Sequence, residues 1–109
     1  MIMRIWHGWT TQANAATYEA LLKEEIFQGI GDRQIPGYHG IRLLRRDIGD
    51  EVEFVTIMSF RDLEAVRQFA GNDYEVAVVP PKARAVLARF DARSQHYEVR
   101  EDRPAEEFD

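Results

Sequence analysis

The side chains of this chain best suited to chemistry are three histidines, two tryptophans and a scatter of arginines. His7 falls in an early run of β-branched and aromatic residues, where alternation sets it beside Ile5 and Trp9 on one strand face. An imidazole titrates near neutrality, so in a water-poor site it can take a proton from a phenol and leave an electron-rich phenolate. The plainer alternative is a half-buried histidine bonded to a carbonyl. His39 lies in the glycine-flanked turn Gly37-Tyr38-His39-Gly40, and loops at sheet ends often carry sites. Arg42, just beyond it, could hold an anionic or phenolate oxygen. Trp9, Phe60, Phe69 and Tyr74 are an aromatic set able to wall a pocket for a planar ligand, or simply to fill a core, with Phe54 and Met58 deeper. Trp6, on the other strand face, suits a subunit contact, and His96 beside Tyr97 suits a structural role. His7 is therefore the catalytic candidate. Trp9, Phe60, Phe69, Tyr74, His39 and Arg42 are the binding candidates.

Other chemistries lack their residues. The three histidines show no metal-ligand spacing, so no metal is expected. Ser59 and Ser94 lack a nucleophile elbow, and Gly29-Ile30-Gly31 sits at a helix end, the wrong side for phosphate. The absence of cysteine removes disulfides, iron–sulfur clusters and thiol nucleophiles.

These residues need elements to position them. Residues 2–10 read as a strand. Tyr18, Leu22 and Ile26, with Leu21 beside them, give one apolar face to a helix over 13–28, which Gly29 and Gly31 should end. A second strand is expected over 40–47, then a hairpin at Gly49-Asp50 and a third strand over 52–60. Asp62 starts a short helix that Gly71 closes. Residues 74–79 are ambiguous between helix and extended chain. Pro80-Pro81 interrupts, and residues 85–90 and 95–100 read as one long, bent fourth strand. The order β-α-β-β-α-β is the ferredoxin-like plan, an α+β fold with both helices on one face of a four-stranded antiparallel sheet. Yet both faces of the first and third strands are mostly apolar. Phe54, Thr56, Met58 and Phe60 alternate with Val55, Ile57 and Ser59, and only one face can be covered by helices. A second copy is the economical cover for the other, which predicts a homodimer.

The chain has 109 residues, enough for one domain over 1–100, with an acidic tail over 101–109 expected to be flexible. Net charge is -5, much of it in that tail, and the near-neutral body offers no footprint for nucleic acid. No apolar stretch is long enough for a membrane span, and no signal peptide is evident at Met1. A cytoplasmic protein is expected.

Four segments carry a family resemblance: Arg4-Ile5-Trp6-His7-Gly8-Trp9-Thr10, Ile35-Pro36-Gly37-Tyr38-His39-Gly40, the helix segment 59–71 that opens Ser59-Phe60-Arg61-Asp62-Leu63, and His96-Tyr97-Glu98-Val99. Together they resemble the antibiotic biosynthesis monooxygenase group of the dimeric α+β barrel superfamily, over about residues 2–100. The resemblance implies a dimeric α+β barrel with a pocket between sheet and helices in each subunit. It also implies oxidation of phenolic, polyketide-like substrates by O2 with no metal, haem or flavin, although other members degrade haem. The chain departs from both patterns. Thr56 and Phe60 stand where the polyketide oxidases have Asn and Trp, and His7, Phe69 and Val79 stand where the haem degraders have Asn, Trp and His. The expected function is a cofactor-independent monooxygenase of a small aromatic substrate. The alternative is a non-catalytic ligand-binding or stress-type dimer of the same fold.

Overall fold

A computed structural model describes residues 1–106. Strand β1 (Ile2–Thr11) is followed by helix α1 (Ala15–Leu21), a π-helical turn (Leu22–Ile26) and helix α2 (Phe27–Asp32) in one unbroken helical run. Strands β2 (Tyr38–Ile48) and β3 (Glu51–Phe60), helices α3 (Leu63–Ala70) and α4 (Pro81–Val86), and short strands β4 (Arg89–Phe90) and β5 (Gln95–Glu98) complete it. The antiparallel sheet runs β2-β3-β1-β4, and β5 also pairs with β1. The α+β ferredoxin-like plan expected from the sequence is present.

Several local expectations hold for the reasons given. Gly49 takes φ +78° in the hairpin. Asp62 caps α3 by accepting from the Ala65 N–H at 2.9 Å, and Gly71, at φ +90°, ends it. Others are corrected. The first helix does not stop at Gly29 or Gly31 but runs to Asp32. Both glycines are solvent-exposed, where each costs about 1 kcal/mol of helix propensity without forbidding the helix. Arg33, just beyond, ties the helix end down by donating to the Gln68 and Phe69 carbonyls.

The long fourth strand is broken in two. Pro81 starts a helix that takes in Ala85 and Val86. From β4 to β5, three steps along β1 match five on the other side. The backbone between turns away to residues 75–77, with Ala77 N–H donating to Ala92 and Ser94 N–H to Glu75. Residues 74–79, ambiguous in sequence, thus form a turn at Tyr74 and Glu75 followed by an irregular segment bridged at Val76 and Arg93. The tail over 101–106 is exposed and has no helix or strand, and the rest of that expectation, 107–109, lies outside the described residues.

All helices lie on one sheet face, and both hydrophobic clusters sit beneath them. One gathers Trp6, Tyr18, Leu22, Val52, Phe54 and Val79, the other Ile2, Met58, Phe60 and Val66. On β3 the covered set is Phe54, Thr56, Met58 and Phe60, as expected. On β1 the expected face is inverted: Ile2, Arg4, Trp6, Gly8 and Thr10 are buried, while Met3, Ile5, His7 and Trp9 face outward. Register makes this necessary, because Trp6 pairs with Thr56 and His7 with Val55, and directly paired residues share a face. Gly8 fits the inverted arrangement. A Cβ there would come within 2.7 Å of the Trp6 ring, so glycine leaves room for the indole on the inner face.

Candidate functional site

Between the inner sheet face and the helices lies a cavity of about 60 Å³. Its floor is Arg4, Trp6, Ile41, Thr56 and Met58 from three strands. Leu22, Ile26, Phe27 and Ile30 from the helical run, with Phe69, Val78 and Val79, close it. The π-helical turn widens the run here, so that the consecutive residues Ile26 and Phe27 both reach the lining. The volume is room for about two water molecules and well under the roughly 300 Å³ of an ordinary ligand site. Ile26, Phe27 and Ile30 are only half-buried and Val78 is 49% exposed, so the outer wall is the part with least packing to hold it.

One corner of this apolar space is charged. Arg4 is 3% exposed. Its Nη1 donates to the Tyr74 carbonyl and meets His96 Nε2 at 3.0 Å, its Nη2 donates to the Val76 carbonyl at 3.2 Å, and its guanidinium lies 5.4 Å from the Phe69 ring centre. Burial lowers its pKa to about 10, so it stays cationic at neutral pH. Among the described residues, no carboxylate is within ion-pair reach of it. Burial, with the nearby Arg4 charge adding to it, pushes the His96 imidazole below its ordinary value. Neutral His96 must therefore accept from Arg4 at Nε2, which puts its proton on Nδ1, a buried atom with no partner among the described residues. Ser94, also buried, completes this corner.

Of the residues singled out from sequence, Phe69 lines the cavity. Phe60 is fully buried behind it, 5.9 Å ring to ring, and Tyr74 stands edge-on to His96 while its carbonyl holds Arg4. His7 and Trp9 are on the opposite face, which removes His7 as a base for anything bound inside. His7 Nδ1 lies 3.0 Å from Glu53 Oε2, and Glu53 also accepts from Arg46 at 2.5 Å. These hydrogen bonds, Arg46 first and then His7, hold the Glu53 carboxyl below its usual range. Trp9 stacks on His7 at 6.1 Å and carries the Arg89 guanidinium 4.0 Å above its ring. His39 is the extra residue of a β-bulge opposite Phe60 and Ser59. It shares with Arg42, Met1, Met3, Ile57 and Asp102 an open groove of about 410 Å³ on the outer face.

The sequence reading missed Arg4, Trp6 and Ser94 at the cavity and Glu53 beside His7. Arg4 and Trp6 alternate with the residues that were chosen, so only the register separates the two sets. Among the described residues no group of three or more His, Asp and Glu is placed to hold a metal, and no helix is long and apolar enough to cross a membrane.

No family model matches the sequence, and no curated protein does. Solved structures do. A Bacillus cereus protein named as a candidate antibiotic biosynthesis monooxygenase superposes with a TM-score of 0.68 at 12% identity, covering 98% of each chain. SnoaB, a cofactor-independent oxygenase from Streptomyces nogalater, gives 0.60 at 18% identity over 95% of this chain and 98% of that one. MhuD, a heme degrader from Mycobacterium tuberculosis, gives 0.58 at 20% identity over 95% and 100%. At such identities the likeness is one of architecture. The chain has the α+β fold of the antibiotic biosynthesis monooxygenase-type proteins.

Proposed function

We propose that the inner cavity binds a small aromatic, polyketide-like substrate, which the protein oxygenates with O2 and no bound cofactor. The observation that carries this reading is the cavity lining, an apolar and aromatic wall that includes the polar side chains of Arg4, Tyr18, Thr56 and Ser94, in a fold shared with a cofactor-independent oxygenase. An ionised phenol is electron-rich enough to reduce O2 directly, and a dry pocket protects the radical pair until it recombines. The balance is that a ring CH2 and O2 give C=O and H2O, one oxygen atom going to each product. The outer wall at Ile26, Phe27 and Ile30 must move outward to admit a ring.

The outer sheet face fits the same reading as a subunit contact. Met3, Ile5, Val55 and Ile57 are half-buried and Leu44 and Tyr97 are exposed, a large apolar surface for a soluble monomer. We propose that a second copy covers it, sheet against sheet. Sedimentation at micromolar concentration then gives twice 12.7 kDa, and a mass of 12.7 kDa rejects it.

The functional test is oxygen uptake with a panel of anthrone- and naphthol-type phenols under air, with and without a chelator. Uptake of one O2 per substrate, insensitive to chelator and lost in Met58→Trp, which fills the cavity, is the expected result. A second reading, ligand binding without turnover, is favoured by a lining that contains no Asp, Glu or His. Saturable binding without oxygen uptake would establish that reading instead.

A further inference from the structure

Arg4 is a buried cation, and its surroundings satisfy it only in part. Of five guanidinium N–H groups, two on Nη1 face the Tyr74 carbonyl and His96 Nε2, and one on Nη2 faces the Val76 carbonyl. The N–H on Nε and the second on Nη2 have no acceptor among the described residues. A buried charge is ordinarily paired, and leaving N–H donors unmade in an apolar site costs free energy. Buried and half-buried carboxylates show the contrast: Glu53 has Arg46 and His7, Glu19 has Lys23 and Arg45, and Glu51 has Arg89. Among the described residues, the one buried arginine without a carboxylate partner is Arg4, which lines the cavity.

We propose that the cavity takes its phenolic ligand as the anion, with the phenolate oxygen on the two uncommitted N–H groups of Arg4. This rests on the cavity being a ligand site, and it names the charge state and the receptor. The Tyr74 and Val76 carbonyls and the Phe69 ring hold the guanidinium in place, so the positive end is present before the ligand arrives. Arg4 also supplies what the lining otherwise lacks. With no side-chain base among the cavity residues, the field of Arg4 lowers the ligand's own pKa, and the proton leaves to solvent as the ligand binds. Arg4 is thus a binding and charge-stabilising residue, whereas Arg42, the sequence candidate for that role, stands on the other face.

The direction of one shift decides the matter. Transfer of a phenol into an apolar cavity raises its pKa, and a facing guanidinium lowers it, by about one to three units. The experiment follows 4-nitrophenol, whose ionised form is coloured, bound to the full chain over a pH series, with 4-nitroanisole as the uncharged counterpart. The expected result is a bound pKa at least about one unit below the free value, a tenfold preference for the phenolate. Nitroanisole should bind at least about tenfold more weakly. Arg4→Gln should abolish the shift, and filling the cavity with Met58→Trp should abolish binding.

A bound probe whose pKa is unchanged or raised overturns the proposal while leaving the ligand site standing. No binding of either compound overturns both. Shifted binding that survives Met58→Trp places the anion site elsewhere and overturns it too. If Arg4→Gln fails to fold, the two probes on the unmodified protein still give the sign, and Arg4→Lys, which keeps the charge, should keep part of the shift.

Discussion

Trp6 and Trp9 are three residues apart on one strand and end in different worlds. Trp6 is 8% exposed, and its indole N–H donates to the Asp91 carbonyl at 2.8 Å beneath the helices. Trp9 faces outward with Arg89 on its ring and His7 beside it. The same contrast runs across the sheet. On the inner face, polar side chains such as Arg4 and Trp6 are held by backbone carbonyls that the fold itself fixes. On the outer face, His7 and Arg46 hold Glu53, and Arg89 holds Glu51 and covers Trp9, all through side chains, arrangements that water can enter. The inner face is thus fixed by the backbone, and the outer face only by side chains.

The strongest way to break this contrast is to cut into the inner face. Phe54→Ala should cost about 3–5 kcal/mol, because Phe54 is fully buried against Tyr18 at 4.9 Å and its loss leaves a void. Urea unfolding measures it, and the loss should not depend on protein concentration. On the outer face, Ile57→Asp should instead weaken association by at least about a hundredfold, roughly 3 kcal/mol, since a subunit contact would bury an unpaired carboxylate. Sedimentation measures that, and a variant that associates like the parent would show that the face is not the contact.

Phe27→Ala sharpens the picture of the cavity. It removes a half-buried ring from the outer wall at a cost of about 1–2 kcal/mol, and it should tighten 4-nitrophenol binding by making room. The same substitution without gain in affinity would indicate that the wall is not what limits entry. A gentler probe is pH. Since Arg46 and His7 hold the Glu53 pKa below its unfolded value, the stability this carboxylate contributes is complete above about pH 4.3 and is lost as pH falls through the folded value. Unfolding midpoints compared at pH 7 and about pH 3.5 should show a smaller acid loss in Glu53→Gln than in the parent. Lys82→Ala should do least, within about 0.5 kcal/mol, because its contact with Glu25 is solvent-exposed.

Much of the fold was legible because local signals agreed with it. The period-four apolar residues from Tyr18, the Gly49 hairpin, and the Asp62 and Gly71 ends of α3 each have one physical reading. The candidate site was less legible. Both faces of β1 carry large apolar side chains, so alternation separates Arg4 and Trp6 from His7 and Trp9 without saying which set meets the helices. That choice is made by the pairing of Trp6 with Thr56, fifty residues away in sequence. The partnership of His7 with Glu53 was hidden for the same reason. Thr56 was legible as a strand position beside Phe54 and Met58 and as a departure from a family pattern, but not as a site residue, and the structure places it in the cavity lining.

The π-helical turn at Leu22–Ile26 has a consequence for how this chain tolerates changes in length. It holds one residue more than a regular turn, so it acts as a phase adjuster between α1 and α2. Deleting the exposed Glu24 would let the run close into ordinary α-helix at little local cost, and because the wide turn holds just that one extra residue, Phe27 and Ile30 would keep their phase toward the cavity. The same deletion at the exposed Gln28, inside regular α2, would instead rotate Ile30 by about 100° about the axis and off the cavity. A one-residue deletion in the wide turn should therefore leave a folded protein with its pocket in place, whereas one in α2 should leave a different pocket.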